Sequence, residues 1–348
     1  MQSTSSLNSQ SKPDGAAAFQ APLNYLAPGE GPVQVRIYPP TSSIETSRPA
    51  AVQQMVNMHD LRPDAGQYRL DECGFALHTS PSALEGFYDI PEVRARYYPE
   101  VEAAVRKFTG ALAVVMFDHN VRSAARAARG ELNVRLPAEQ VHNDYTERSG
   151  PKRKREILEA AGRKDLIDRH FAFVNLWRPI VGPVRDNPLG VCDVRSVQNA
   201  DLVETEIQHY GEDNLAQPRH TGEIYSVRYN PAHRWFYVSE MQPDEVLLLK
   251  CYDSRTDGRA RFMPHSAFED PNTPPNALPL PGLGSCPPTD SWKFFPMKIT
   301  TPTTATLMAL SPMTQSACAF FSSNESWAAI FRFASSSVQP SRFINRAI

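Results

Sequence analysis

Four apolar, β-rich segments between residues 171 and 252 limit the fold of this chain more than any other feature. Each is rich in β-branched or aromatic residues, and turn-forming pairs such as Asn230-Pro231 and Pro243-Asp244 separate several of them. They cover residues 171–177, 223–229, 235–241 and 245–252. A series of short strands with turns between them predicts antiparallel pairing, as in an all-β sandwich or barrel.

The segments upstream of this series predict helices that flank the sheets. Residues 90–109 carry apolar side chains at helical spacing and end at Gly110, and the basic segment 152–169 is also predicted to be helical. Residues 33–38 and the apolar run 111–117 are predicted strands. The expected fold class is therefore mainly β with helical buttresses.

Length, charge and cysteine content narrow the classes of function. A chain of 348 residues can bury a large core, and its net charge of −2 gives no reason to expect a nucleic-acid or anionic-membrane partner. No run approaches the roughly 20 apolar residues of a membrane helix, and residues 1–18 lack the apolar region of a secretory signal. Five cysteines without CxxC spacing indicate a reducing compartment. We expect a cytoplasmic protein.

The segment VHNDY at residues 141–145 contains a possible metal-binding pair. On an extended backbone, side chains two residues apart point to the same side, so His142 and Asp144 can reach one ion. A third ligand from a distant strand would complete a 2-His-1-carboxylate face with open positions, which suits ferrous iron. By itself the HxD triplet is weak evidence, because about one such triplet is expected by chance in a chain with nine histidines.

His265 is the candidate for the third ligand. It follows the strand series directly and lies 121 residues after Asp144, where the second half of a β-helix would return to the metal. The alternative is that His265 is a surface-loop histidine, and the residues alone favour that alternative by about two to one.

Several segments in a fixed order resemble one family, the hydroxylase/desaturase group of fungal secondary metabolism. This group is related to the gibberellin desaturase and to the smaller component of the cephamycin methoxylase. The likeness extends from about residue 30 to residue 278. It is carried by residues 97–122, 141–146 (VHNDYT), 174–183 (VNLWRPIVGP), 188–197 (PLGVCDVRSV), 201–203, 224–235 (IYSVRYNPAHRW), 248–253 and 260–271 (ARFMPHSAFEDP).

The resemblance implies a double-stranded β-helix, a jelly-roll or cupin-like fold, that uses Fe(II) and 2-oxoglutarate. It implies His142, Asp144 and His265 as both catalytic and metal-ligating residues, with dioxygen and a small secondary metabolite as the reaction partners. The expected outcome is hydroxylation, desaturation or ring closure, with decarboxylation of 2-oxoglutarate to succinate. Arg178 is a candidate partner for a carboxylate of substrate or co-substrate, and an internal salt bridge is the equal alternative.

The C-terminal part departs from the family pattern. Of 36 Lys and Arg and 38 Asp and Glu in the chain, only seven lie in residues 279–348, and 18 of these 70 positions are Ser or Thr. We therefore divide the chain into a disordered arm (1–30), an oxygenase-like domain (31–278) and an atypical tail (279–348). Two alternatives stay open for the tail: a disordered Ser/Thr/Pro segment, or translated intron or frameshifted sequence appended to an incomplete β-helix.

The same departure removes an expected basic residue. In such folds a cation on the strand after the distal histidine usually pairs with the far carboxylate of 2-oxoglutarate, but the next arginine after His265 is Arg332. We expect weak 2-oxoglutarate binding unless Lys293, Lys298 or Arg178 replaces that cation. Two other functions therefore stay open: an inactive or truncated relative, and a cupin-like binding protein without oxygen chemistry.

Overall fold

The computed structural model describes residues 19–29, 33–39, 41–131 and 134–273, together with the backbone of the strand at residues 291–300. The described strands form one sheet of nine and one of six. In chain order they are β1 Phe19–Leu26, β2 Val33–Ile37, β3 Ala51–Asp60, β4 Phe75–Thr79, β5 Ala113–Arg122, β6 Val134–Arg135, β7 His142–Asn143, β8 His170–Pro179, β9 Leu189–Cys192, β10 Leu202–His209, β11 His220–Val227, β12 Trp235–Tyr237, β13 Glu245–Asp253, β14 His265–Ala267 and β15 Ser291–Thr300.

The larger sheet has the order β1-β3-β12-β9-β14-β7-β11-β10-β2. Its central strands are short, and β14 lies antiparallel between β9 and β7. His265 on β14 is directly opposite His142 on β7. This pairing places a residue from the end of the strand series beside a residue from its beginning.

The smaller sheet has the order β4-β13-β8-β15-β5-β6. Strand β15 is antiparallel to β8 on one side and to β5 on the other, so it fills the middle of the sheet. The pairing of β15 with β5 shifts in register at Pro296, between the pairs Phe295–Asp118 and Pro296–Met116. Proline has no N–H to donate, and an irregularity of this kind is where a sheet tolerates it.

Helices cover the outer face of the smaller sheet. They are α1 Ile90–Glu92, the π-helical turn Val93–Tyr97 and α2 Tyr98–Thr109. Two further helices lie elsewhere: α3 Ala124–Ala128 follows β5, and the buried apolar residues of α4 Ser149–Ala160 belong to the same cluster as Phe173 of β8. Val101 and Val105 on α2 pack with Val174 and Leu176 on β8 in one buried cluster. A second cluster, which includes Phe173 and Trp177 of β8, fills the space between the two sheets. Because strand side chains alternate, β8 serves both layers, and this explains why residues 171–177 are apolar at nearly every position.

The prediction of a mainly β fold with helical buttresses is confirmed. Within the described ranges, no helix is both long and apolar enough to cross a bilayer.

Two predicted domain boundaries are wrong. Phe19–Leu26, assigned to a disordered arm, pairs with β3 along its whole length because Ala21, Leu23 and Tyr25 alternate into the core. Ser291–Thr300, assigned to an irregular tail, is the central strand β15 and completes the smaller sheet. The rest of the predicted arm (1–18) and most of the predicted tail (279–290 and 301–348) lie outside the described residues.

Candidate metal centre

The larger sheet brings His142, Asp144 and His265 together. His142 Nε2 lies 3.6 Å from Asp144 Oδ1, and His265 Nε2 lies 3.8 Å from Asp144 Oδ2. One ligand atom from each residue lies within 4.8 Å of the other two. These separations allow one ion to be bound by all three at about 2.0–2.2 Å after modest side-chain adjustment. The surface-loop alternative for His265 is wrong, since its side chain is 2% exposed.

Backbone carbonyls orient both imidazoles. His142 Nδ1 lies 2.7 Å from the carbonyl oxygen of Gln140, and His265 Nδ1 lies 3.2 Å from that of Met263. A carbonyl oxygen only accepts, so each Nδ1 carries the proton and each Nε2 presents a lone pair towards Asp144. Two neutral imidazoles and one carboxylate with converging lone pairs fit Fe(II), and the remaining coordination positions stay open for other ligands.

Asn175 on β8 positions the carboxylate. Its side-chain amide donates a hydrogen bond of 2.6 Å to Asp144 Oδ2 and lies 3.1 Å from Cys251 Sγ. Asn175 is fully buried, and it reaches the site from the smaller sheet. The three candidate ligands thus lie on or beside strands of one sheet, while the second sheet restrains the carboxylate among them.

A cavity extends from the two histidines into the space between the sheets. Trp177, Leu189 and Ala267 supply apolar surface, and Arg122 and Asp186 supply charged groups. Burial lowers the pKa of Arg122 to about 10, and repulsion from Arg135 adds to this effect, while the Asp144 carboxylate opposes it. The guanidinium stays protonated at neutral pH, so the cavity contains a permanent cation near the candidate ligands.

Arg178 does not take part in this site. Its guanidinium donates hydrogen bonds to the Tyr97 hydroxyl and to the carbonyl oxygens of Ser80 and Pro243. It lies on the helix-covered face of β8, opposite to Asn175 and Trp177, because strand side chains alternate. The assignment of Arg178 to a carboxylate of substrate or co-substrate is therefore wrong, and the alternative of an internal salt bridge does not describe its contacts either.

Sequence reasoning missed two polar residues that reach the site from the smaller sheet. Asn175 lies inside an apolar run, and a lone polar residue there is the available signal for a buried hydrogen bond. Arg122 ends the segment FDHNVR, which in the sequence carries only a likeness to the family. Lys293 and Lys298, the other suggested cations, lie on β15, where the structure describes the backbone alone.

Comparisons with known proteins show the family to which the chain belongs. The profile of a family described as "YDMC: Oxidoreductase/YMDC permease-like domain" matches residues 23–280. The chain is 36% identical over 231 residues to the hydroxylase/desaturase efuI of Hormonema carpetanum, covering 62% of this chain and 77% of that relative. It is 30% identical over 232 residues to the Fe(II)/2-oxoglutarate-dependent dioxygenase nvfI of Aspergillus novofumigatus, covering 64% and 78%.

A solved structure shows the same fold. It is that of NvfI, described as an iron and alpha-ketoglutarate-dependent endoperoxidase. The TM-score is 0.66 at 23% sequence identity, over 82% of this chain and 98% of that one. The prediction of a jelly-roll β fold is confirmed by this match.

Proposed function

The chain belongs to the oxidoreductase family of that profile, together with the fungal hydroxylase/desaturases and Fe(II)/2-oxoglutarate-dependent dioxygenases, and we propose that His142, Asp144 and His265 bind its iron. The protein is an Fe(II)/2-oxoglutarate-dependent oxidase of fungal secondary metabolism, and its cofactors are Fe(II) and 2-oxoglutarate. The observation that carries the residue assignment is the convergence of three ligand atoms within 4.8 Å. The alternative of a cupin-like binding protein has no comparable support.

Bound iron, with 2-oxoglutarate and dioxygen, supplies the oxidising power to remove hydrogen from an unactivated C–H bond. The residues of the chain orient the groups that would bind the iron. The Gln140 and Met263 carbonyls hold both Nε2 atoms towards the ion, and Asn175 holds the Asp144 carboxylate between them. Asparagine amides and backbone carbonyls do not titrate near neutral pH, so this orientation is independent of pH there.

The walls of the cavity exclude water from the reacting centre. Trp177 and Leu189 belong to the packed interior between the sheets, and Ala267 is also buried. With iron bound, apolar walls of this kind would favour reaction with the bound substrate over reaction with solvent. We propose a small secondary metabolite as the substrate, with hydroxylation, desaturation or ring closure as the outcome. The relatives' names support this class.

The proposal is tested without knowledge of the substrate. Anaerobically reconstituted protein is expected to bind one Fe(II) per chain, and on exposure to air it should slowly convert 2-oxoglutarate to succinate. Asp144→Ala and His142→Ala, in halide-free buffer, should lose iron binding and succinate formation while their melting temperatures change little, because neither side chain belongs to the packed apolar core. His220→Ala is the matched control, since His220 begins β11 away from the three ligands. Retained turnover in Asp144→Ala would contradict the assignment.

A cytoplasmic location is also part of the proposal. Its support is that Cys73, Cys192 and Cys251 are buried thiols that form no disulfide within the described part of the chain, which suits a reducing compartment. Imaging of a fluorescent fusion in a fungal host tests it, and secretion of the protein would contradict it.

A further inference from the structure

Arg122 faces the metal centre because the pairing of β5 with β15 shifts in register between Met116 and Asp118, which reverses the side of the sheet on which the later residues of β5 lie. The neighbours Val121 and His119 face the helices: Val121 belongs to the cluster under α2, and His119 Nδ1 lies 2.6 Å from the Tyr98 hydroxyl of α2. Alternation therefore turns Arg122 towards the space between the sheets, where it lines the same cavity as His142 and His265.

The described residues satisfy only part of the charge and of the hydrogen-bonding capacity of the Arg122 guanidinium. It donates one hydrogen bond of 2.6 Å to the carbonyl oxygen of Leu136, and among the described residues it has no ion pair within 4.0 Å. A guanidinium has five N–H donors, and the described residues accept from only one of them, which leaves donors for a ligand. A desolvated cation of this kind favours an anion that can accept two parallel hydrogen bonds, above all a carboxylate.

Arg122 lies where it can replace the basic residue that the sequence lacks soon after His265. The strand that follows His265 in the described structure is β15, and its first residue, Ser291, is paired with Arg122. An arginine at the end of β5 therefore enters the cavity at the level where β15 begins. Of the described residues that line this cavity, only Arg122 is a lysine or arginine.

We propose that Arg122 binds the distal carboxylate of 2-oxoglutarate, in place of a basic residue on the strand after the distal histidine. The inference rests on the proposed function, because the 2-oxoacid end of the molecule must chelate iron held by the triad. With Arg122 as this partner, we no longer expect weak binding of 2-oxoglutarate, although the sequence has no basic residue soon after His265. It also assigns specificity: the guanidinium selects dicarboxylic 2-oxoacids over monocarboxylic ones.

The test compares two ligands that differ only at the distal end. Calorimetric titration of the anaerobic, Fe(II)-loaded full chain uses 2-oxoglutarate and 2-oxopentanoate, which carries a methyl group where the distal carboxylate would be. The native protein should prefer 2-oxoglutarate by on the order of a hundredfold, as expected for a bidentate charge-assisted pair. In Arg122→Met this preference should disappear through loss of 2-oxoglutarate affinity, while 2-oxopentanoate binds within about threefold of the native value. Arg122→Lys should keep part of the preference.

Two controls separate this role from general damage and from a competing cation. Arg178→Lys alters an arginine that faces the helices, so it should lower stability and leave the preference intact. Lys293→Met should also leave it intact, and loss of the preference in Lys293→Met rather than in Arg122→Met would overturn the inference. Retained preference in a folded Arg122→Met or Arg122→Gln protein would overturn it too. If the native Fe(II) protein binds neither oxoacid, the proposed function fails, and the inference fails with it.

Discussion

The side-chain amide of Asn175 donates a 2.6 Å hydrogen bond to the carboxylate of Asp144, across the space between the two sheets. The candidate ligands all lie on or beside the strands of the larger sheet, whereas Asn175 belongs to the smaller one. Iron affinity is therefore expected to depend on how the sheets pack, as well as on the ligands themselves.

Asn175→Ala should weaken Fe(II) binding by roughly tenfold to a hundredfold, the usual effect of removing a hydrogen bond that orients a metal ligand. Competition with a chelator measures the affinity. Asn230→Ala is the matched control, because Asn230 donates to the carboxylate of Asp201 in the same way, at 3.2 Å, without a metal ligand in the pair. Equal iron affinity in the native protein and Asn175→Ala would show that the amide supports folding alone.

Asp118 and His119 should give the stability opposite dependences on pH. Burial raises the pKa of Asp118 to about 6, so the folded state binds a proton more tightly than the unfolded state and stability falls as pH rises from about 4 to 6. Burial lowers the pKa of His119 to about 4, so stability rises with pH from about 4 to 6.5.

Substitution separates the two opposing effects. Asp118→Asn should remove the fall, by no more than about 3 kcal/mol in total, so its advantage over the native protein grows from pH 4 to pH 6. His119→Gln should remove the rise. Urea unfolding at several pH values measures both, and parallel stability curves for Asp118→Asn and the native protein would contradict the assignment.

Gly150→Ala should destabilise the protein, although alanine is normally the better helix residue. Gly150 lies in α4, and a Cβ atom there would come within 2.6 Å of the Tyr252 ring of β13. The ring is buried, so the helix must shift, and the loss should be about 1–3 kcal/mol in the free energy of unfolding. Gly66→Ala is the control, because no atom lies within 4 Å of its added Cβ. A more stable Gly150→Ala protein would mean that α4 does not pack on Tyr252 at this distance.

Lys298→Pro tests the central position of β15. The backbone of Lys298 is paired with Val114 on one side and Ala172 on the other, so proline removes a donor inside a sheet. The expected loss is at least about 2 kcal/mol, and Lys298→Thr, which keeps the N–H, should stay within about 1 kcal/mol of the native protein. Thermal melting measures both variants. A native melting temperature in Lys298→Pro would show that residues 291–300 do not occupy this slot.

The sequence was informative where the spacing of residue types along a short segment indicates one structure or one kind of site. The HxD spacing and the late position of His265 indicated three candidate ligands, and the resemblance to the family decided in their favour; the three lie within 4.8 Å of one another. The fold class followed from the strand series, and the helix at residues 90–109 follows the predicted periodicity. The helix predicted over 152–169 is confirmed only in part, because α4 ends at Ala160 and a separate 3-10 turn, Lys164–Leu166, follows it. In these segments a local pattern carries the information.

The sequence was uninformative where position depends on partners far along the chain. Composition suggested that residues 279–348 are irregular, yet Ser291–Thr300 is a strand because β5 and β8 leave a place between them. The side of β5 on which Arg122 lies depends on the register shift opposite Pro296, which no local pattern reveals. Arg178 looked suitable as a carboxylate partner, but a shift of one residue from Trp177 places it on the wrong face of β8.

The central position of β15 has a consequence for the synthesis of this protein. Strands β5 and β8 leave the ribosome long before residues 291–300, and until then their facing edges have no strand between them. Unpaired edges on apolar strands are sites of intermolecular association. In the nascent chain the place of β15 between β5 and β8 therefore stays empty while more than a hundred residues are translated. We expect the supply of chaperones during that interval to limit the yield of folded enzyme in a foreign host.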